Sequence, residues 1–262
     1  MPRFRVVPTL FVKNGLIVRC ENFDQHKIIG NVFNQPKRYC DWLIDELLVI
    51  DISKADVFTG RNDHKVRAAS DIFEVIGMMV SCLNVPLTFG GRIACLEYGS
   101  KIIDHGADKI FMNSLLFDNP RVIMQLSEKY GNQAISLCID YAISGSDVSF
   151  YKNHGQVKVD FSVDDVLSAV EKLMPGEVVL HNIQRDGTAE GYELSLVKLF
   201  AESLDCQVLV MGGFGHASDA VEAAEAGADG VCIGNHLHFT EDSYPRIKRY
   251  LDTRNVDVRV FQ

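Results

Sequence analysis

The sequence predicts an α/β protein folded as a (β/α)8 barrel, and three observations carry that reading. Short β-branched runs alternate with amphipathic stretches from end to end, without a Pro/Ser-rich linker or low-complexity block, so residues 1–262 read as one domain. Eight strand candidates fall at about 30 residues per βα unit, which suits a barrel better than an open doubly wound sheet. Two glycine-bearing motifs recur about 120 positions apart, as duplicated half-barrels would leave them.

The first strand candidate covers residues 5–11. It runs into Val12-Lys13-Asn14-Gly15, which is not the glycine-rich turn that opens a dinucleotide-binding sheet. Residues 16–31 carry Arg19, Glu21, Asp24 and Lys27 with no clear period, and are expected to form a long mobile loop over the barrel mouth, acting as a lid. The other strand candidates are residues 46–52, 86–89, 109–113, 134–140, 178–183, 207–211 and 230–234. Helical patterns cover residues 65–82, 95–105, 120–130, 163–173, 194–204, 217–226 and 243–251. A small hairpin is expected after the fifth strand, with residues 147–150 and 156–160 joined through Asn153-His154-Gly155.

The repeat has chemical content. In the first half PLTFGGR, ending in Gly90-Gly91-Arg92, precedes GADKIFMNS, ending in Asn113-Ser114. In the second half VLVMGGFG, with Gly212-Gly213, precedes GADGVCIGN, ending in Gly234-Asn235. Gly-Gly at the C-terminal end of a strand lets backbone N–H groups approach a ligand closely, an arrangement that suits phosphate. Two such sites across one mouth would hold a substrate phosphorylated at both ends.

Charge and composition remove other classes. Against 35 Asp and Glu there are 26 Lys and Arg, for a net charge of −9, so no general field draws in a nucleic-acid backbone. No run of about 18 apolar residues is present to cross a bilayer. The opening residues do not read as a secretory signal, and a cytoplasmic protein is expected. The cysteines (Cys20, Cys40, Cys82, Cys95, Cys138, Cys206 and Cys232) include no C-x-x-C pair and are expected to be buried thiols. His236 and His238 alternate without a carboxylate or Cys partner at ligand spacing, so neither a metal nor another cofactor is expected.

Among titratable residues, Asp140 ends an apolar strand, where a barrel carboxylate points into the mouth. Asp51 reads either as ligand-facing or as a cap for the following loop. His181 reads either as an acid–base group or as a strand-end hydrogen-bonding residue. Arg5, Glu46, Lys109 and Glu177 begin four predicted strands, and two cations with two anions there can neutralise one another as a ring.

The ordered set VVPTLFVKNG, DELLVIDI, PLTFGGRI, GADKIFMNS, ISLCID, QRDGTAEGY, MGGFG and GADGVCIGN resembles the cyclase subunit of imidazole glycerol phosphate synthase, over nearly the whole chain. The resemblance implies a barrel whose C-terminal face receives a bis-phosphorylated ribulose substrate, whose N-terminal face docks a separate glutaminase, and whose interior conducts ammonia. It implies one phosphate site at Arg92, Asn113 and Ser114, and another at Asp186, Gly187, Gly213, Gly234 and Asn235. It implies an ammonia gate at Arg5, Glu46, Lys109 and Glu177, and a glutaminase contact at Asp108.

The family's two acid–base aspartates end strands one and five; Asp140 matches the second, whereas Phe11 stands at the first. Asp51 matches another acidic residue of the family's active site. Phe carries no proton, so the paired-carboxylate logic of ring closure is broken there. Further departures are Thr9 for Cys, Arg19 for Lys, Arg92 for a third Gly, His181 for Thr, Asn182 for Ser, Gln184 for Asp and Met211 for Ser. The chain looks like the cyclase-like barrels of sugar-amidation systems. In those, glutaminase and barrel supply ammonia to a synthetase-like protein that builds an acetamidino group on a nucleotide-linked sugar for surface polysaccharide (O-antigen). Two alternatives stay open: a genuine cyclase of histidine biosynthesis, using Asp140 and a substitute for the missing Asp, and a non-catalytic scaffold that only activates the glutaminase.

Overall fold

Eight β-branched runs pair side by side, all parallel, and the ring closes where Glu177–Asn182 lies against Ile135–Ser144. The computed structural model describes residues 3–21, 25–54, 58, 69–238 and 243–260. In chain order the strands are β1 (Arg5–Lys13), β2 (Leu16–Glu21), β3 (Gln25–Asn31), β4 (Leu47–Asp51), β5 (Leu87–Gly90), β6 (Lys109–Met112), β7 (Ile135–Ser144), β8 (Asp147–Lys152), β9 (Val157–Val159), β10 (Glu177–Asn182), β11 (Gln207–Met211) and β12 (Gly230–Ile233). The ring runs β1, β4, β5, β6, β7, β10, β11, β12 and back to β1. This is the expected (β/α)8 barrel.

Helices α1 (Asn34–Asp41), α2 (Ile72–Val80), α3 (Leu96–Asp104), α4 (Leu115–Asp118), α5 (Pro120–Tyr130), α6 (Val163–Leu173), α7 (Leu194–Ser203), α8 (Ala217–Glu225) and α9 (Ser243–Thr253) cover the outer face. Their ends follow local chemistry. Pro120 opens α5, where its missing N–H costs nothing, and Gly131 ends it at φ 88°. Ser162 and Asp165 cap the start of α6 reciprocally, at 3.1 and 2.9 Å.

Two expectations need correcting. Residues 16–31 are not a loop: β2 pairs antiparallel with β1 and β3 with β2, so the first barrel strand continues into a twisted meander. Of the four charged residues read there, Asp24 lies outside the described residues. The helix read at residues 65–82 begins at Ile72, because Asp71 is extended (φ −152°) and its carboxylate accepts the Glu74 N–H at 2.9 Å as an N-cap; residues 65–68 lie outside the described residues. Helices α1 and α4 add to the helical stretches named from the sequence. The hairpin after the fifth strand is present as β8 and β9, with left-handed Asn153, His154 and Gly155 in its turn.

Two apolar layers hold the barrel. Outward side chains of the strands pack on the helices in one large cluster. Inward ones, Val7, Leu48, Ile50, Phe111, Cys138, Val179, Leu209, Met211 and Cys232, form a second cluster inside the ring. Beneath it the four charges close into one network. Arg5 donates to Glu46 at 2.6 Å and to Glu177 at 2.8 Å, and Lys109 donates to Glu46 at 2.9 Å and to Glu177 at 2.8 Å.

The half-barrel repeat is visible atom by atom. An Asp108 carboxylate oxygen accepts the Leu87 N–H at 2.8 Å, and Asp229 does the same to Val208 at 2.8 Å. In return the Asp108 and Asp229 N–H groups donate to the Leu87 and Val208 carbonyls at 2.8 and 2.7 Å. Asp108 is exposed and therefore open to a partner, but this clasp gives it a job within the fold.

Candidate functional site at the barrel mouth

The C-terminal strand ends bring most of the expected residues to one face. Between β12, β11 and the loop after β10 lies a small open pocket of about 30 Å³, lined by Thr9, Phe11, Asp186, Gly187, residues 211–214 and residues 232–236. All five residues expected from the resemblance at the second phosphate site, Asp186, Gly187, Gly213, Gly234 and Asn235, line it. Gly213 sits at φ 114°, where a Cβ would lie 2.1 Å from the Gly191 carbonyl oxygen. Only glycine lets these two backbone segments touch. Gly191 N–H bonds the Gly213 carbonyl at 2.8 Å, pinning the loop that carries Asp186 and Gly187.

The residues expected at the first phosphate site are arranged differently. Gly91 repeats the Gly213 device, at φ 108° with a Cβ position 2.1 Å from the Asp51 carbonyl oxygen. Asn113 Nδ2, however, donates to the Cys138 and Tyr151 carbonyls at 3.1 and 3.3 Å. Ser114 Oγ donates to Asn153 Oδ1 at 3.1 Å and accepts the Asn153 N–H at 3.1 Å. These groups hold the β8–β9 hairpin to the barrel rim, so the two halves share a backbone plan but not the same open nest.

Asp51 is fully buried, and both readings of it find support. One oxygen accepts the Ser53 N–H at 2.9 Å, the loop-capping role. The other is buried with no protein partner among the described residues. Burial raises its pKa, against Ser53 and the Arg92 and His154 charges, which lower it.

Phe11 is half-buried in the pocket wall, and its ring edge lies 3.7 Å from where a Gly234 Cβ would be. Phe11 thus sets an aromatic edge beside Gly234 in the pocket wall. Thr9 is buried below it, with its hydroxyl unpartnered among the described residues.

Across the mouth, Asp140 and His181 face each other in register on β7 and β10, with Asp140 Oδ1 2.8 Å from His181 Nδ1. Burial lowers the histidine's pKa, but the hydrogen bond and charge of Asp140, helped by Asp186, turn the net shift upward. Cys138 Sγ donates to the same Asp140 oxygen at 3.3 Å. The sequence reading missed this thiol's place, because the contact depends on the fold of two strands. Among the described residues, Cys138, Asp140 and His181 are the one group of three metal-capable side chains within reach of a shared ion. His236 and His238 are not such a pair. His236 packs edge-on against Phe214, and His238 meets the Tyr39 hydroxyl at 3.3 Å, with burial bringing its pKa down to about 4.

Residues 5–243 match the family described as histidine biosynthesis protein. The chain belongs to this family. Its relatives include imidazole glycerol phosphate synthase subunit HisF of Chlorobium phaeobacteroides, 30% identical over 257 residues, covering 98% of each chain. HisF of Pyrobaculum aerophilum is 30% identical over 258 residues, and HisF of Sulfurisphaera tokodaii 30% over 256, both at 98% coverage of each chain. In this HisF-like barrel the charged ring, the Gly91 and Gly213 approaches and Asp140 stand together, while Phe11 faces the pocket. Among the described residues no helix is long and apolar enough to cross a membrane.

Proposed function

We propose that this chain is the ammonia-conducting barrel subunit of a glutamine amidotransferase complex. A glutaminase docks at the barrel end that carries the Arg5, Glu46, Lys109 and Glu177 ring. Ammonia passes that ring, crosses the interior and leaves at the mouth, where a synthetase-like third protein uses it to form an acetamidino group on a nucleotide-linked surface sugar. The two glycine approaches hold the phosphorylated ligand, the second through Asp186, Gly187, Gly213, Gly234 and Asn235.

The observation that carries this reading is Phe11. It lines the pocket at the position where the resemblance puts one of two acid–base aspartates, and losing such a group costs about 10²–10⁴ in rate. The charged ring at the other end meanwhile supports a retained entrance. Mixing the purified chain with a family glutaminase is expected to give a co-eluting complex with faster glutamine hydrolysis than the glutaminase alone. A chain that neither co-elutes nor stimulates would contradict the proposal.

A second reading rests on the 2.8 Å contact between Asp140 and His181. Here the chain is a cyclase of histidine synthesis, with His181 supplying the proton step that Phe11 cannot. Direct assay of ring closure separates the two.

A further inference from the structure

Cys138 and Asp140 are two apart on β7, so both point to the same side of the barrel wall, and His181 lies in register beside Asp140 on β10. Asp140 Oδ1 is 2.8 Å from His181 Nδ1 and 3.3 Å from Cys138 Sγ, and one donor atom from each residue lies within 4.8 Å of the others. All three side chains are buried. We propose that Cys138, Asp140 and His181 form a binding site for a zinc-class divalent cation, with a fourth position left for water or a ligand atom.

The donor set selects the ion. A thiolate and an imidazole favour a borderline-soft transition metal, and a site with only one oxygen donor disfavours Mg²⁺ or Ca²⁺, which want oxygen ligands. Tetrahedral bonds of about 2.0–2.3 Å put neighbouring ligand atoms roughly 3.3–3.7 Å apart. The two Asp140 contacts therefore need to open by less than about an ångström, and the Cys138–His181 separation, within 4.8 Å, to close by at most about an ångström, to admit the ion. Both strands belong to the closed ring, which presents the three groups ready-placed. Three protein ligands with one open position is the pattern of a reactive zinc centre rather than a structural one.

A plain hydrogen-bonded cluster also accounts for the Asp140 contacts, with the thiol and the ring N–H both donating to one oxygen. The two states differ in what they exchange. Metal binding forms a sulfur–metal bond and sends the thiol proton to the buffer. Met211 and Cys232 line the mouth pocket and pack with Cys138 in the interior cluster, so the site lies close beneath the pocket. The inference is independent of the amidation reading: whichever acceptor uses the ammonia, an ion here makes Asp140 a ligand rather than a proton carrier.

Cobalt(II) titration of the chelator-treated full chain tests it. The expected result is a thiolate-to-cobalt charge-transfer band with visible bands of a four-coordinate ion, saturating at one equivalent and bleached by Zn²⁺. Cys138→Ser should abolish the charge-transfer band, and His181→Gln should weaken binding by about tenfold or more, with circular dichroism checking that each variant folds. Cys95→Ser, at an exposed thiol, should change nothing. The native chain failing to show the band, or a band that follows Cys95 rather than Cys138, overturns the site.

Discussion

Glu177→Ala is expected to remove about 3–5 kcal/mol of folding stability, because it leaves two half-buried cations short of a partner. Its carboxylate, with 4% side-chain exposure, takes the Arg5 and Lys109 hydrogen bonds at 2.8 Å each. Without it both cations fall on Glu46, and the ring carries a net positive charge only partly reached by water. An exposed pair gives the contrast: Glu97→Ala breaks the Glu97–Lys101 contact at 2.9 Å, where solvent replaces the partner, and no measurable loss is expected. Burial alone would raise the Glu177 pKa, but the Arg5 and Lys109 charges and hydrogen bonds turn the net shift downward. A lowered folded-state pKa gives stability that is present above the unfolded value, about 4.3, and lost as pH falls through the folded value. Urea melts of native and variant chains at neutral pH and down the acid limb read both effects. The gap should be widest at neutral pH and shrink in acid. A loss below about 1 kcal/mol at neutral pH would mean the ring is only a set of solvated strand ends.

Gly213→Ala carries the second large effect. At φ 114°, with its new Cβ 2.1 Å from the Gly191 carbonyl oxygen, the substitution strains the backbone and drives apart β11 and the loop bearing Asp186 and Gly187. Adding about 1–3 kcal/mol of conformational strain to a similar overpacking term gives an expected loss of roughly 2–5 kcal/mol. Thermal protection of the chain by inorganic phosphate, the expected sign of an anion nest, should disappear with it. Gly77→Ala is the control. Gly77 lies in α2 with nothing within 4 Å of its Cβ position, so the change should stabilise by about 0.5–1 kcal/mol and leave phosphate protection intact. Unchanged phosphate protection in a folded Gly213→Ala chain would remove the nest from the account.

The barrel was legible because burial on both faces makes its strands continuous apolar runs, and all eight were placed to within a few residues at most ends. What escaped was decided by partners distant in sequence. The β2–β3 meander hid because its register shifts at Ile17 and Val18, which breaks the period-2 pattern a strand reading needs. Helix α1 buries only Pro36 and Tyr39, too few positions to show a helical period, and its entry is set by Asn31, whose side-chain oxygen accepts from Phe33 and Asn34 at 3.0 and 2.7 Å. At the mouth, the glycine pairs and Asp140 were readable from strand ends and the repeat. The joining of Cys138, Asp140 and His181 was not, since it depends on the register of β7 against β10. Nor did the sequence disclose that Asn113 and Ser114 tie down a hairpin, which makes the two halves of the mouth unequal.

A single-turnover assay of the purified chain, with the bis-phosphorylated ribulose substrate and excess ammonium salt, goes most directly to the central claim that the barrel keeps its passage and anion frame while lacking ring-closing chemistry. Phe11→Asp is run beside it, and inorganic phosphate protection is measured on both. With both chains freed of metal by chelator, so that Asp140 can carry a proton, no cyclised product above background is expected from the native chain, with phosphate protection present, and a rate about 10²–10⁴ above that background once a carboxylate is placed at position 11. Cyclised product from the native chain, at a rate equal to or above that of Phe11→Asp, would contradict that claim and make the barrel a cyclase that works without the first aspartate.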